Sequence, residues 1–314
     1  MPPSDASDAD PSAWLKAGRG ITPEVNWQFV TEGELTALEL CAETGEVIVA
    51  DNSGVLCQLD RRGQIASLTR LNEPVRQLAW SANGELGSCI CGERTLHVFG
   101  RGLKSLWKLT LPEVVLTVAV APYGTHLVVT LADGINMIYD AGKNRLCKFE
   151  TVRPLSFVSF MSESPGFVAA AEHGLLCRHL ISGQNEWHQK LWSNVGQLSI
   201  TGDGATIYTA SFAHGIQAFD QSGKNTGSYI LDGTVHRVHG TFEPNRILAA
   251  TVEQSLYWLD ADGELMWATK TPESVTSLRC DPLGESALVG LASGRLLSLT
   301  WSGRLKGPKS KADG

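Results

Sequence analysis

Ser255-Leu256-Tyr257-Trp258-Leu259-Asp260-Ala261-Asp262-Gly263-Glu264-Leu265-Met266-Trp267 reads as two short strands joined by a tight turn. The first run is apolar and aromatic, Asp260 and Gly263 mark the turn, and a second run carries Trp267. Glycine suits such a turn because tight hairpin loops demand positive φ, which a Cβ penalises. The pattern recurs in phase. Asp60, Asp140 and Asp220 end equivalent runs, Gly63, Gly183, Gly223 and Gly303 sit in the turns, and Trp107 and Trp187 match Trp267.

Working outward from this unit, seven segments line up on a 40-residue period without insertion or deletion, starting at Glu34, Pro74, Val114, Pro154, Asn194, Thr234 and Ser274. Their first apolar positions are Leu35, Val75, Val115, Leu155, Val195, Val235 and Val275, followed three residues on by Leu38, Leu78, Val118, Val158, Leu198, Val238 and Leu278. An earlier turn carries Gly84, Gly124, Gly204 and Gly284, with Gly45 one place late. Runs such as Val47-Ile48-Val49-Ala50 and Leu127-Val128-Val129-Thr130 are strand-like, and no helical period persists beyond two turns. A strand-rich repeat near this length marks a β-propeller with one four-stranded blade per repeat. The chain is therefore read as an all-β, seven-bladed β-propeller.

The ends of the chain suggest how the ring closes. The seventh repeat meets Gly307-Pro308-Lys309 where its outer strand is due, and proline cannot pair inside a strand. The missing strand lies at the other end: Val25-Asn26-Trp27-Gln28-Phe29-Val30 places Trp27 in phase, 80 residues before Trp107. The N-terminal strand is expected to complete the last blade, removing exposed sheet edges. Residues 1–20 are small, acidic and proline-bearing and read as a disordered arm, 21–303 as a single propeller and 304–314 as a mobile tail.

The unit at 255–267 resembles a quinoprotein-type propeller repeat, in which a third strand, an Asp turn, a Gly and a fourth-strand Trp follow in that order. Gly54-Val55-Leu56-Cys57-Gln58-Leu59-Asp60 and Gly134-Ile135-Asn136-Met137-Ile138-Tyr139-Asp140 are partial copies. Leu78-Ala79-Trp80-Ser81-Ala82-Asn83-Gly84-Glu85-Leu86 and Val118-Ala119-Val120-Ala121-Pro122-Tyr123-Gly124 resemble opening strands of WD-repeat blades. The resemblance covers residues 24–303 and implies the fold. The Gly-His and Trp-Asp hallmarks of WD repeats are absent, so that family's Asp-His-Ser-Trp network is not carried over. Quinoprotein dehydrogenases typically have eight blades, an export signal, a calcium site and a vicinal cysteine pair; none of these is seen in the sequence, and no cofactor is assigned.

The 314 residues are 43% apolar with a formal net charge of −7, enough for one large core. No apolar run approaches a membrane span and no basic-then-apolar leader opens the sequence, so the cytoplasm is the expected compartment. Cys41, Cys57, Cys89, Cys91, Cys147, Cys177 and Cys280 lack paired metal-ligand spacing and read as buried, reduced thiols, with no metal site.

Eight histidines are scattered without recurring ligand spacing, but His236-Arg237-Val238-His239 opens the sixth repeat where the innermost strand nears the central channel. Strand alternation puts His236 and Val238 on one side and Arg237 and His239 on the other. Loops joining fourth to first and second to third strands share one face, which collects Glu73, Glu113 and Glu273 together with Glu32, Glu34, Asp51, Glu93, Asp133, Glu172 and Glu253. Arg76 and Arg237 are among the few cations near them, whereas Arg61, Arg62, Lys104, Arg145 and Lys224 crowd the opposite rim. An acidic face steers basic partners, and a basic rim without interleaved aromatics disfavours nucleic acid.

Glu73, Arg76, Glu113, His236, Arg237, His239 and Glu273 are thus the candidate partner-binding residues. The leading reading is a non-catalytic scaffold, a monomeric propeller within a complex, that binds a protein or peptide on its loop face. The alternatives are a sensor holding a small ligand or metal in the channel, or an enzyme with a pocket at the channel mouth. No catalytic residue is assigned.

Overall fold

The computed structural model of the chain describes residues 11–243 and 245–301. Among these, the strands form seven antiparallel sheets around a central channel. Blades one to five span residues 35–70, 75–110, 115–150, 157–190 and 195–229, each a four-stranded meander. Blade six spans 235–270 and gains a fifth strand, Arg19–Gly20. Blade seven takes three strands from 275–300 and its outer strand from Glu24–Val30.

The turn chemistry read from the sequence acts through the backbone. Asp260 Oδ1 accepts the amides of Asp262 (3.0 Å) and Glu264 (2.9 Å), and Asp60 does the same for Arg62 (2.8 Å) and Gln64 (2.9 Å). These bonds hold a turn whose glycine, Gly263, sits at φ 83°, where a Cβ would collide with the Tyr229 ring of the preceding blade. The turn and the neighbouring outer strand are therefore fitted to each other.

That fit repeats around the wall. Trp107 Nε1 donates to Ala141 O, Trp187 Nε1 to Gln221 O, Tyr229 Oη to Ala261 O and Cys147 Sγ to Ser182 O, each at 2.9 Å and each crossing to the next blade. Trp27 of blade seven lies against Gly63 of blade one, the equivalent contact. Seven apolar clusters fill the ring, each shared by two neighbouring blades. The cluster between blades seven and one joins Leu288 and Leu296 to Leu35 and Leu38, under Trp27 and Phe29. Burial of this kind stabilises by about 25 cal/mol per Å² of apolar surface, so every seam contributes.

One boundary differs from the sequence reading. Residues 11–20, assigned to a disordered arm, form a helix, Ser12–Lys16, and the added strand of blade six, which pairs Arg19 with Ala268 and Gly20 with Trp267. Leu15 is buried among Trp258, Trp267 and Trp301, and Thr269 Oγ1 donates to Trp14 O at 2.6 Å. Trp301 Nε1 donates to Ile21 O at 2.8 Å. Trp14 and Leu15 are apolar residues in an acidic segment, and a seam with three tryptophans gives them an apolar partner. Residues 1–10 and the tail at 304–314 lie outside the described residues.

None of the seven cysteines is in a disulfide, and all but Cys147 are buried. Burial pushes the Cys41 and Cys177 thiols up to about 12 and Cys57 to about 11. No described helix is long and apolar enough to cross a membrane.

Candidate functional site

The innermost strands begin at the loop face and run toward the opposite face, so their first residues ring one mouth of the channel. Arg76, Arg237 and Arg279 line that mouth with Glu39, Gln77, Thr117, Ser156, Gln197 and Ser277, around a cavity of about 250 Å³. The opposite mouth, a cavity of about 230 Å³, is lined by Leu40, Trp80, Val120, Phe160 and Phe242 together with Ser159, Ser162 and Glu39, so Glu39 borders both cavities. The arginines belong to the first mouth, and the aromatic side chains of Trp80, Phe160 and Phe242 to the second.

Arg237 is fixed by main-chain carbonyls. Its Nε donates to Thr276 O of blade seven at 2.9 Å, and its Nη1 donates to Gly196 O of blade five at 3.2 Å and His236 O at 3.1 Å. Arg279 is held differently, by a two-pronged ion pair with Glu39 of blade one in which Nε–Oε2 is 3.0 Å and Nη2 meets Oε1. Burial, reinforced by the Arg279 charge, lowers the pKa of Arg237. For Arg279 burial acts downward too, but Glu39 outweighs it and the net shift is upward.

Of the sequence-predicted set, the structure brings Arg76 and Arg237 to the channel mouth. His236 and His239 serve the backbone instead. His236 Nε2 donates to Val275 O at 3.1 Å, and burial followed by the Arg237 charge lowers its pKa. His239 Nδ1 accepts the Cys280 amide at 3.2 Å, so that nitrogen carries no proton; burial and then Arg279 bring its pKa down to about 3. Both rings are neutral near pH 7 and tie blade six to blade seven.

The three glutamates sit on the loop face, engaged to different degrees. Glu273 accepts the Ser293 amide and hydroxyl, both at 2.6 Å. Glu113 accepts the Val114 amide at 2.8 Å and stands 3.9 Å from Arg94. Glu73 is exposed and lies against Gly92. Elsewhere on the same face, Glu32 pairs with Arg70 at 2.6 Å and Glu253 accepts the Thr234 amide at 2.7 Å. Several carboxylates of this acidic rim thus brace one loop against the next.

Sequence reasoning missed the apolar part of the same face. Trp192, in the loop from blade four to blade five, is 81% exposed, and the Lys190 ammonium, 4.4 Å from its ring centroid, is its one ring partner among the described residues. Val152, one repeat earlier, is 99% exposed, and Phe212 and Val252 stand exposed in the second-to-third-strand turns of blades five and six. Phe212 packs over Gly196, whose carbonyl holds Arg237, so this arc reaches the channel mouth. The signal was present in the repeat phase. Trp192 shares its slot with Glu32, Asn72, Pro112, Asp232 and Pro272, and Phe212 shares its slot with Asn52, Gly92, Ala132, Glu172 and Ala292. A bulky apolar residue in a slot that is polar or small elsewhere has no repeat-wide packing role.

No protein-family model matches the chain, and no curated protein matches it. Among solved structures, the β-propeller domain of Cps50 (Swd1) from Myceliophteria thermophila is similar, with a TM-score of 0.78 and 13% identity over 88% of this chain and 99% of that one. At this identity the likeness concerns the fold, and the fold is a seven-bladed, WD-repeat-like β-propeller.

Proposed function

We propose that this propeller is a non-catalytic docking platform that holds a protein or peptide partner on its loop face, above blades four to six. The observation that carries this reading is the exposed arc of Val152, Trp192, Phe212 and Val252 beside a polar channel mouth. Tryptophan, with other aromatics, is the residue type that most often anchors interfaces, and burying such a side chain against a partner stabilises by about 2 kcal/mol or more. The carboxylate rim with Glu73, Glu113 and Glu273 flanks the arc and steers basic groups at the partner's edges. A catalytic reading finds less support, because His236 and His239 are neutral and bonded to backbone. The seven unpaired thiols favour a reducing compartment such as the cytoplasm.

The test is affinity capture with the Trp192→Ala/Phe212→Ala double variant against the unmodified chain. The platform reading predicts loss of the captured partner at unchanged melting temperature. Capture that survives both this variant and joint charge reversal of Glu73, Glu113 and Glu273 contradicts it.

A further inference from the structure

We infer that the loop-face mouth of the channel is an oxyanion seat built around Arg237, taking a carboxylate or phosphate presented by a docked peptide. The inference rests on the loop face being the docking surface and adds what the partner must bring to it.

The charge balance of the mouth points this way. Three guanidiniums, of Arg76, Arg237 and Arg279, face one carboxylate, Glu39. Glu39 is committed to Arg279 through both oxygens. Among the described residues, neither Arg76 nor Arg237 forms an ion pair. A cation removed from water without a counter-charge is costly, and burial already depresses Arg237 from its ordinary range. Arginine nevertheless stays protonated, so the mouth keeps a positive field.

The geometry is preorganised for an anion. Three carbonyls from three neighbouring blades fix Nε and Nη1 of Arg237, leaving Nη2 without a protein partner among the described residues. A guanidinium held in this way loses little rotamer freedom when an oxyanion arrives. Gln197 adds a donor: its Oε1 accepts the Val238 amide at 3.2 Å, which leaves its NH₂ group for the cavity. The cavity of about 250 Å³ is smaller than the ~300–1,000 Å³ of drug-sized pockets and fits one head group. Phe212, over Gly196, sets the apolar arc directly beside this seat. An acidic side chain next to an apolar anchor satisfies both.

The experiment uses the full chain with three probes: a fluorescent decaglutamate peptide, a decalysine peptide of equal length, and inorganic phosphate as competitor. The seat predicts that decaglutamate binds and that phosphate displaces it at fixed ionic strength, whereas decalysine, labelled and titrated separately, binds no tighter to the unmodified chain than to Arg237→Gln. Binding weakens as salt rises from about 50 to about 300 mM. Arg237→Gln weakens decaglutamate at least about tenfold, because a bond to a charged group is lost. Arg76→Gln weakens it about threefold, and this exposed residue makes, among the described residues, one 3.5 Å bond to Gly92 O, so its variant decides the matter even where Arg237→Gln misfolds. If a decaglutamate carrying one central tryptophan loses affinity in Trp192→Ala while phosphate does not, the seat takes a peptide-borne anion; if both are unchanged, it takes free oxyanions and the peptide part of the inference falls. Absence of binding by both anions, or binding indifferent to both arginine variants, overturns the seat. A native partner lost with Trp192→Ala/Phe212→Ala but retained by both arginine variants sinks the seat and leaves the platform. Anion binding that depends on the arginines, with a partner indifferent to the double variant, does the reverse.

Discussion

The outer wall and the loop face of this ring use tryptophan in opposite ways. On the wall, Trp187 rests against Gly223 and donates its Nε1 to Gln221 O at 2.9 Å, sealing blade four to blade five. Five residues later, on the face, Trp192 stands 81% exposed with a lysine over its ring. The wall residue belongs to a series with Trp27, Trp107 and Trp267; the face residue belongs to none. Repetition marks what every blade needs, and departure from repetition marks what one place on the ring is for.

The comparison breaks most visibly where the wall is opened. Removing residues 1–31 strips Trp27 and Phe29 from the seam of blades seven and one and Leu15 from its tryptophan cluster, and it exposes a sheet edge. Calorimetry is expected to show a drop on the order of 10 °C or more, or no cooperative transition at all. An unchanged melting temperature contradicts the wall's role. Next in size is Trp267→Ala. This ring is fully buried and meets Trp301 edge-on at 5.9 Å, so urea melts are expected to lose about 3–5 kcal/mol.

A smaller effect comes from pH. Unfolded, the His239 imidazole takes a proton near its ordinary 6.5; folded, it does so only near 3. Between those values the unfolded chain holds more protons, so stability is complete above pH 6.5 and declines as the pH falls. Urea titrations from pH 7 to 4 are expected to show a slope of at most about 1.4 kcal/mol per pH unit from this ring, reduced in His239→Gln. Smaller again is Gln254→Gly: Gln254 holds φ 61°, in a turn where Gly54, Gly134, Gly174 and Gly294 occupy the matching position. Relief of that strain is expected to raise stability by up to about 1 kcal/mol in the same melts. Smallest of all, Trp192→Ala is expected to move stability by less than about 0.5 kcal/mol while removing partner capture. A large stability loss there erases the distinction between wall and face.

Much of the wall was legible because its forces are local and repeated. Asp260 and Gly263 bend a hairpin by their own backbone bonds, and the copies at Asp60 and Asp220 repeat the same pair of amide bonds to their carboxylates. Trp27 was placed by phase alone, and it is found in the outer strand of blade seven, paired with Ser298. The N-terminal helix was illegible because composition averages over Trp14 and Leu15, two residues whose burial depends on a seam some 250 positions away, as the 255-residue separation of the Thr269–Trp14 bond shows. The mouth was half legible. Arg76 and Arg237 follow from strand phase, but the Glu39–Arg279 pair joins residues 240 positions apart and exists only because the ring brings blade seven beside blade one. The carboxylates of the face were visible as charges, while their use as loop braces, such as Glu273 on Ser293, follows from three-dimensional proximity.

The claim that the loop face above blades four to six is the docking surface is tested most directly by site-specific photocrosslinking. A benzophenone side chain replaces Trp192, or Tyr123, which is 61% exposed in a turn at the opposite mouth. In native extract the account predicts a discrete crosslinked adduct from position 192 and none from position 123. An adduct from position 123 with none from 192 would contradict it.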